Sequence, residues 1–435
     1  MAINRHQTVK ELEALLDEYA SWVMDACDEL GEISQSDEYL DRRYLTKEHR
    51  AANSLVAYWM QRAKMETWQD SVGNIWGRRE SKEEGAKSLV FGSHLDTVVN
   101  GGKYDGMLGV IAPIALMNLL NELDCELPFH IDIVGFCDEE GTRFGSTLLG
   151  SRALSCKWQT EWADLKDEQG ITLRQAMDAF GLDFDKVVSA TIPRETLLGF
   201  VEVHIEQGPV LEQKDLPVGT VSAIAGAKRL QFTVEGMAGH AGTVPMPIRQ
   251  DALVGTSEMI LTAEKCAKEA NVLATVGQLN NLPNAVNVIP GKSQFSLDIR
   301  SDNDTLRDNC LDAMLMQFKE IAARRALSID IKQTHAASAV SCSPRIIDQL
   351  QAASLTYSIS DVDRPFTLIS GAGHDAMAMA DICDAGMLFV RCEKGISHHP
   401  SEAIRAEDVS AALGVLYEFL KDFDYSTDIA TTTGS

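Results

Sequence analysis

No two of the nine cysteines are spaced as CxxC, and their odd number rules out a complete disulfide framework. Cys27, Cys125, Cys137, Cys156, Cys266, Cys310, Cys342, Cys383 and Cys392 are scattered and read as reduced, mostly buried thiols of a cytoplasmic protein. Also missing is any apolar run long enough to span a bilayer. The N-terminal stretch "MAINRHQTVKELEALLDEYASWVMDACDELG" carries charges at helical spacing and has no apolar signal-like centre, so neither a membrane anchor nor export is expected. Basic residues are few: 39 Lys and Arg stand against 64 Asp and Glu, for a formal net charge of -25, and no basic cluster interrupts that field. Such a charge repels nucleic-acid phosphates and anionic lipid, which excludes both as partners. An anionic small substrate would need local arginines or metal ions to hold it. There is no internal repeat, and the one biased tract is the polar tail "STDIATTTGS", expected to fray.

What is present is a globular composition, 45% apolar and 24% charged over 435 residues, which is long for a single core and points to two domains. From about Ser88 to Val210, apolar strand-like runs ("SLVFGSHLD", "FHIDIVGFCDEE", "GFVEVHIEQG") alternate with helix-like stretches such as "GVIAPIALMNLLNEL". That alternation belongs to an α/β fold with a mixed, mostly parallel sheet flanked by helices. From about Gly219 to Ile331 the order is βαββαβ, and in its second helix Leu306, Cys310, Met314 or Leu311, Phe318 and Ile321 repeat at helical spacing. This describes a ferredoxin-like, split-βαβ α+β domain. The first rhythm returns with "FTLISGAGHDAMAMA" and "GMLFVRC". The expected arrangement is a discontinuous α/β domain, 1–218 and 332–435, with a second domain inserted at 219–331.

Polar residues gather where the strands end. The run "IDIVGFCDEEGTRFG" delivers Asp138, Glu139 and Glu140 together at the end of an apolar strand. Crowded carboxylates repel one another and lose solvation, so they point to a bound cation or a proton acceptor, with a solvated strand-to-loop corner as the equal alternative. Other strand-like runs end in His94, Asp96 and Asp105, in His204, and in the doublet His398 and His399. Imidazole and carboxylate without cysteine form a donor set suited to a catalytic Zn²⁺ or Mn²⁺ site. The donors exceed what one open site needs. Two ions about 3.5 to 4 Å apart, bridged by a carboxylate and a water, would use them and lower the water's pKa. The residues alone leave open which of His398 and His399 would bind.

The ordered motifs HxD, "GKYDG", "DEEGxRFG", "HIEQGPVLE", "GHAGTVPM", "NVIPG", "DIRS", "SGAGHDAMAM" and "GISHxPxE" run from about Gly92 to Glu402. In that order they resemble the hydantoinase/carbamoylase group of di-metal amidohydrolases, within the aminoacylase- and carboxypeptidase-like metallopeptidases. Within the group the wording is most similar to the allantoate amidohydrolases, while N-carbamoyl-L-amino-acid hydrolases and β-ureidopropionases share the metal motifs. The resemblance implies two divalent ions per subunit, one on His94, Asp105 and His204, the other on Asp105, Glu140 and His398. It implies Glu139 as general base, with Asp96 hydrogen-bonded to the His94 imidazole to fix its tautomer. It further implies that Gln207 lies beside the metals and that Arg229, Asn287 and Arg300 bind substrate. The resemblance also makes 1–218 and 332–435 the catalytic domain and 219–331 a lid, with His240 as an oxyanion donor from the second subunit of a homodimer formed through that lid. The reaction implied is cleavage of allantoate to ureidoglycine, ammonia and carbon dioxide, in purine catabolism, or release of the free amino acid from an N-carbamoyl amino acid. His374 is assigned to loop structure or to packing near the site. Lys228, beside Arg229, could face either substrate or solvent. Asp138 receives no role, and for it the solvated corner stands.

Overall fold

A computed structural model describes residues 9–357 and 365–425, so the tail from 426 onward lies outside the described residues. The chain divides into two compact units, one formed by residues up to Ser222 and from Cys342 on, the other by Ala223–Ser341. The division falls somewhat later than the change of rhythm at 218/219 and 331/332, because the last long strand of the inserted unit runs on to Ala337.

In the larger unit the sheet order is Glu66–Gln69, Ile75–Arg79, His130–Phe136, Ser88–His94, Leu197–Ile205, Ala385–Val390 and Val218–Ile224. The four middle strands, from His130–Phe136 to Ala385–Val390, are parallel. The strands at both margins run antiparallel to their neighbours. The middle strands are almost wholly buried, which explains why they read as continuous apolar runs: a parallel sheet is covered on both faces. Against the sheet lies the helix Leu108–Glu122, apolar around nearly its whole circumference. It needs no polar face because Val9–Gly31 and Ala406–Asp422 pack on its outer side. Leu116, fully buried in this helix, is a position where truncation to alanine should cost about 2–5 kcal/mol.

The inserted unit has a sheet in the order Leu279–Leu282, Lys292–Ser301, Gly226–Glu235, Ser328–Ala337, antiparallel throughout. That is the order of a split-βαβ sandwich, with helices Ala252–Ala270 and Asp304–Arg324 packed on the sheet. Strand alternation sends Leu230, Phe232, Val234, Phe295, Leu297 and Ile299 into the core. The rings of Phe232 and Phe295 stack at 4.6 Å, and Phe318 from the second helix meets both edge-on. Each helix opens on a polar cap: Asp251 accepts the N–H of Val254, and Asn303 that of Leu306. The opposite sheet face is polar. The chain enters and leaves this unit side by side, Ala223 and Ile224 pairing antiparallel with Ser341 and Val340. Among the described residues no helix is long and apolar enough to cross a membrane.

Candidate metal centre

The carboxyl ends of the four parallel strands carry the polar residues. His94 ends its strand, Asp138–Glu140 follow Phe136, His204 lies one residue from its strand's end, and the loop holding Ser397 to Glu402 follows Val390. This is where open α/β sheets place their sites.

Asp105 is the centre of the cluster. Its Oδ1 lies 3.5 Å from His94 Nε2 and 3.2 Å from His204 Nε2, while its Oδ2 lies 3.1 Å from His398 Nε2. His398 Nε2 is also 3.3 Å from Glu140 Oε1. One carboxylate thus divides its two oxygens between two groups of donors, His94/His204 and His398/Glu140. Within each group, Asp105 included, the donor atoms lie within 4.8 Å of one another. The far nitrogens are occupied: His94 Nδ1 donates to the Asp96 carbonyl and His204 Nδ1 to the Ile205 carbonyl, each at 2.9 Å. That tautomer turns the Nε2 lone pairs toward Asp105, as ligating histidines require. Only glycine fits at position 106, where φ is +73° and an added Cβ would lie 2.4 Å from the His94 ring.

The electrostatics ask for positive charge here. Asp105 and Glu140 push the His398 imidazole up to about 10. Burial pulls His94 and His204 down, but the carboxylates around them, Asp105 foremost, outweigh it and raise both. Burial opposes ionisation of Asp105 as well, yet the three imidazoles hold it well below the usual carboxylate range. Imidazole and carboxylate donors without thiol, in an arrangement that favours cations at its centre, fit bound divalent metal. Glu139 is buried, and its carboxyl is raised well above the ordinary range by burial and then by Glu140, Asp375 and Asp96, with His94 opposing. Gln207 donates from Nε2 to Asp105 Oδ2 at 2.8 Å.

Two expectations are corrected. The Asp96 carboxylate does not bond the His94 imidazole; it stays 3.8 Å from Nδ1, which the Asp96 carbonyl already satisfies. Its oxygens accept instead the N–H groups of Glu139 and Glu140, at 3.0 and 3.1 Å, so Asp96 orients the acid pair. Asp138 is not a solvated corner: it is fully buried at φ +57°, and neither carboxylate oxygen has a hydrogen-bond partner among the described residues. Burial and then the neighbouring Asp96 raise its pKa well above the ordinary range, with Arg143 opposing.

The doubled histidines separate, since His399 Nδ1 bonds Ser401 while His398 faces Asp105. His374 packs edge-on against His204, with ring centres 4.5 Å apart, and Ser370 Oγ lies 2.6 Å from its Nε2. Burial and then His204 hold its pKa well below the usual range.

Sequence reasoning missed Glu202, Ser397 and Glu402. Glu202 is buried beside His204, accepting from Ser93 Oγ at 2.7 Å and from the Ala376 N–H at 2.8 Å. Its signal was present: an acid in the middle of a fully buried strand, two residues before a candidate ligand, lies on the ligand's side of that strand.

In the inserted unit, Arg229 and Arg300 share one partner. Arg229 Nε donates to Asp298 Oδ2 at 2.9 Å, and Arg300 Nε and Nη2 donate to Oδ1 and Oδ2 at 2.8 and 3.0 Å. Lys228 turns the other way and pairs with Asp308 of the second helix at 2.8 Å, which settles its direction. His240 pairs in register with Val288, next to exposed Asn287, and accepts the Gly242 N–H at 3.0 Å.

Comparison with known proteins gives a consistent neighbourhood. The family model described as "Peptidase family M20/M25/M40" matches residues 90–422. The chain is 38% identical over 422 residues to an allantoate deiminase of Arabidopsis thaliana, covering 90% of this chain and 80% of that protein. It is also 38% identical over 397 residues to an N-carbamoyl-L-amino-acid amidohydrolase of Pseudomonas sp. (strain NS671), covering 90% and 95%. A solved hydantoinase/carbamoylase-family amidase from Burkholderia multivorans is similar with a TM-score of 0.85 at 28% identity, covering 92% and 97% of the two chains.

Proposed function

The chain belongs to peptidase family M20/M25/M40, and from that premise we propose that it is a cytoplasmic di-metal amidohydrolase acting on a small anionic ureido acid. The first reading is allantoate, cleaved to ureidoglycine, ammonia and carbon dioxide, which would place the protein in purine catabolism. The second is an N-carbamoyl-L-amino acid, favoured by the equal identity to the Pseudomonas amidohydrolase. The observation that carries the di-metal chemistry is the division of the Asp105 oxygens between two donor groups.

His94, Asp105 and His204 would hold one ion, and Asp105, Glu140 and His398 the other. When bound, such ions polarise a carbonyl and lower the pKa of an attacking water. Glu139, raised by burial and crowding, takes the proton from that water and returns it to the leaving nitrogen. Asp96 keeps Glu139 and Glu140 in place through their amides. Arg229 and Arg300 bind the substrate carboxylate, a task for which guanidinium geometry is suited. With Asp298 between them, the two arginines leave one net positive charge, which matches a single carboxylate. Asn287 and Gln207 orient the rest of the substrate, and His240 donates a hydrogen bond to the ureido oxygen from the second copy of a homodimer.

The test is ammonia release from allantoate and from several N-carbamoyl-L-amino acids after reconstitution with Mn²⁺ or Zn²⁺. Turnover of allantoate in preference is expected. Preference for carbamoyl amino acids would install the second reading, and no turnover of any ureido acid would end both.

A further inference from the structure

Glu402 follows His398 by one short turn and stands outside both donor groups. Its side chain is 6% exposed, yet it is not idle. Oε1 accepts the N–H groups of both Tyr104 and Asp105, at 2.9 and 3.0 Å. Ser397 Oγ lies 2.9 Å from Oε2 and also 2.8 Å from Asp105 Oδ2. One buried carboxylate therefore holds the backbone of the Asp105 segment directly, and the Ser397 hydroxyl, with one proton to donate, lies between that carboxylate and the Asp105 side chain. The segment that accepts this hold is shaped for it. An added Cβ at Gly102 would lie 2.2 Å from the Glu402 Cδ and 2.4 Å from its Cβ, so only glycine lets the carboxylate in. The glycine of "GGKYDG" and the acid of "HHPSE", 300 positions apart in the chain, form a single fitting.

We propose that Glu402, seated against Gly102, is the positioning residue of this centre: it fixes Asp105 so that its two oxygens stay divided between the two donor groups. This rests on the two-metal reading. A residue of this kind acts through a ligand, and removing one typically costs about 10–100-fold in metal affinity.

The test is Mn²⁺ titration of the metal-stripped full-length chain by calorimetry, with thermal unfolding of each variant recorded alongside. Glu402→Ala should weaken Mn²⁺ binding by about 10–100-fold. Glu402→Gln should retain most of the affinity, since an amide oxygen still accepts both N–H groups. Gly102→Ala should reproduce Glu402→Ala, because it displaces the carboxylate without altering it. The double variant should then lose no more than either single one. Should Glu402→Ala fail to fold, the contrast between Gly102→Ala and Glu402→Gln carries the same decision. Unchanged affinity in Gly102→Ala, losses that multiply in the double variant, or a Gln variant as weak as the Ala variant would each overturn the assignment. If the unsubstituted chain binds no Mn²⁺, the metal reading fails and the inference goes with it; where the unsubstituted chain binds tightly, a failure among the variants counts against Glu402 alone.

Discussion

In the larger unit the charged groups of the candidate site are buried and interlocked; in the inserted unit Arg229 and Arg300 are more exposed and are held by ion pairs with Asp298. Asp105 is 6% exposed and touched by His94, His204, Gln207, Ser397 and His398, whereas the side chain of Arg229 is 53% exposed and pairs with Asp298. Under the proposed function, the difference follows from what each would hold. A multiply charged cation repays the desolvation of several carboxylates, so its ligands can be fixed in the fold beforehand. A small organic anion is weakly charged, and its arginines stay near solvent, tethered by a carboxylate that releases little energy there.

The largest test of that contrast lies in the buried unit. Glu139→Gln should keep both ions by elemental analysis while kcat falls by about 10²–10⁴, the range of general acid–base catalysis. A small loss would mean that the buried acids do not divide their tasks. Next comes acid stability. His49 is buried against Phe180, with Nδ1 accepting the Leu45 N–H at 3.1 Å, and burial holds its pKa down to about 4 from 6.5. The neutral ring is favoured in the folded chain, so its contribution is complete above about pH 6.5 and is lost as the pH falls toward about 4. Chemical denaturation across that window should show His49→Gln removing a loss of about 3 kcal/mol from the pH profile.

In the inserted unit the effects should be smaller and should fall on binding. Arg300→Met should lower kcat/KM by about 10–100-fold, mainly through KM, as expected for losing a charged hydrogen bond. Asp298→Asn should shift preference from monocarboxylate ureido acids toward N-carbamoyl-aspartate, because the pair of arginines would then carry two unbalanced charges. Lys228→Met should change kcat/KM by less than about two-fold, since its ammonium is engaged by Asp308 on the helix side, in a partly exposed ion pair of small worth. A larger effect would erase the distinction between the two faces of that sheet.

Much of this was legible in the sequence because strand ends and periodicity are local. The buried runs marked the middle strands, and the helical spacing of Leu306 to Ile321 marked the second helix of the inserted unit. What escaped was set by direction. Strand alternation alone places Asp96 on the side of His94, but only the fold shows a carbonyl taking the imidazole and the carboxylate reaching across to the next strand's turn. Asp138 looked solvated because acids at a strand's end commonly are, yet its positive φ turns it inward. Glu402 could not be assigned, since its partners lie on a loop joined to it only through the fold.

The paired crossing of Ala223–Ile224 with Ser341–Val340 has a consequence for how such a chain can change. Where two strands leave and return as antiparallel neighbours, roughly 5 Å separates the ends of the segment they enclose. The unit of 119 residues that begins and ends in this pair could be lost, exchanged or lengthened by one recombination event with little disturbance to the strands left behind. Under the proposed function, the metal chemistry and the choice of substrate would then be written on separately replaceable lengths of chain, so a new acid could be recruited by grafting one segment while the hydrolytic apparatus is inherited whole.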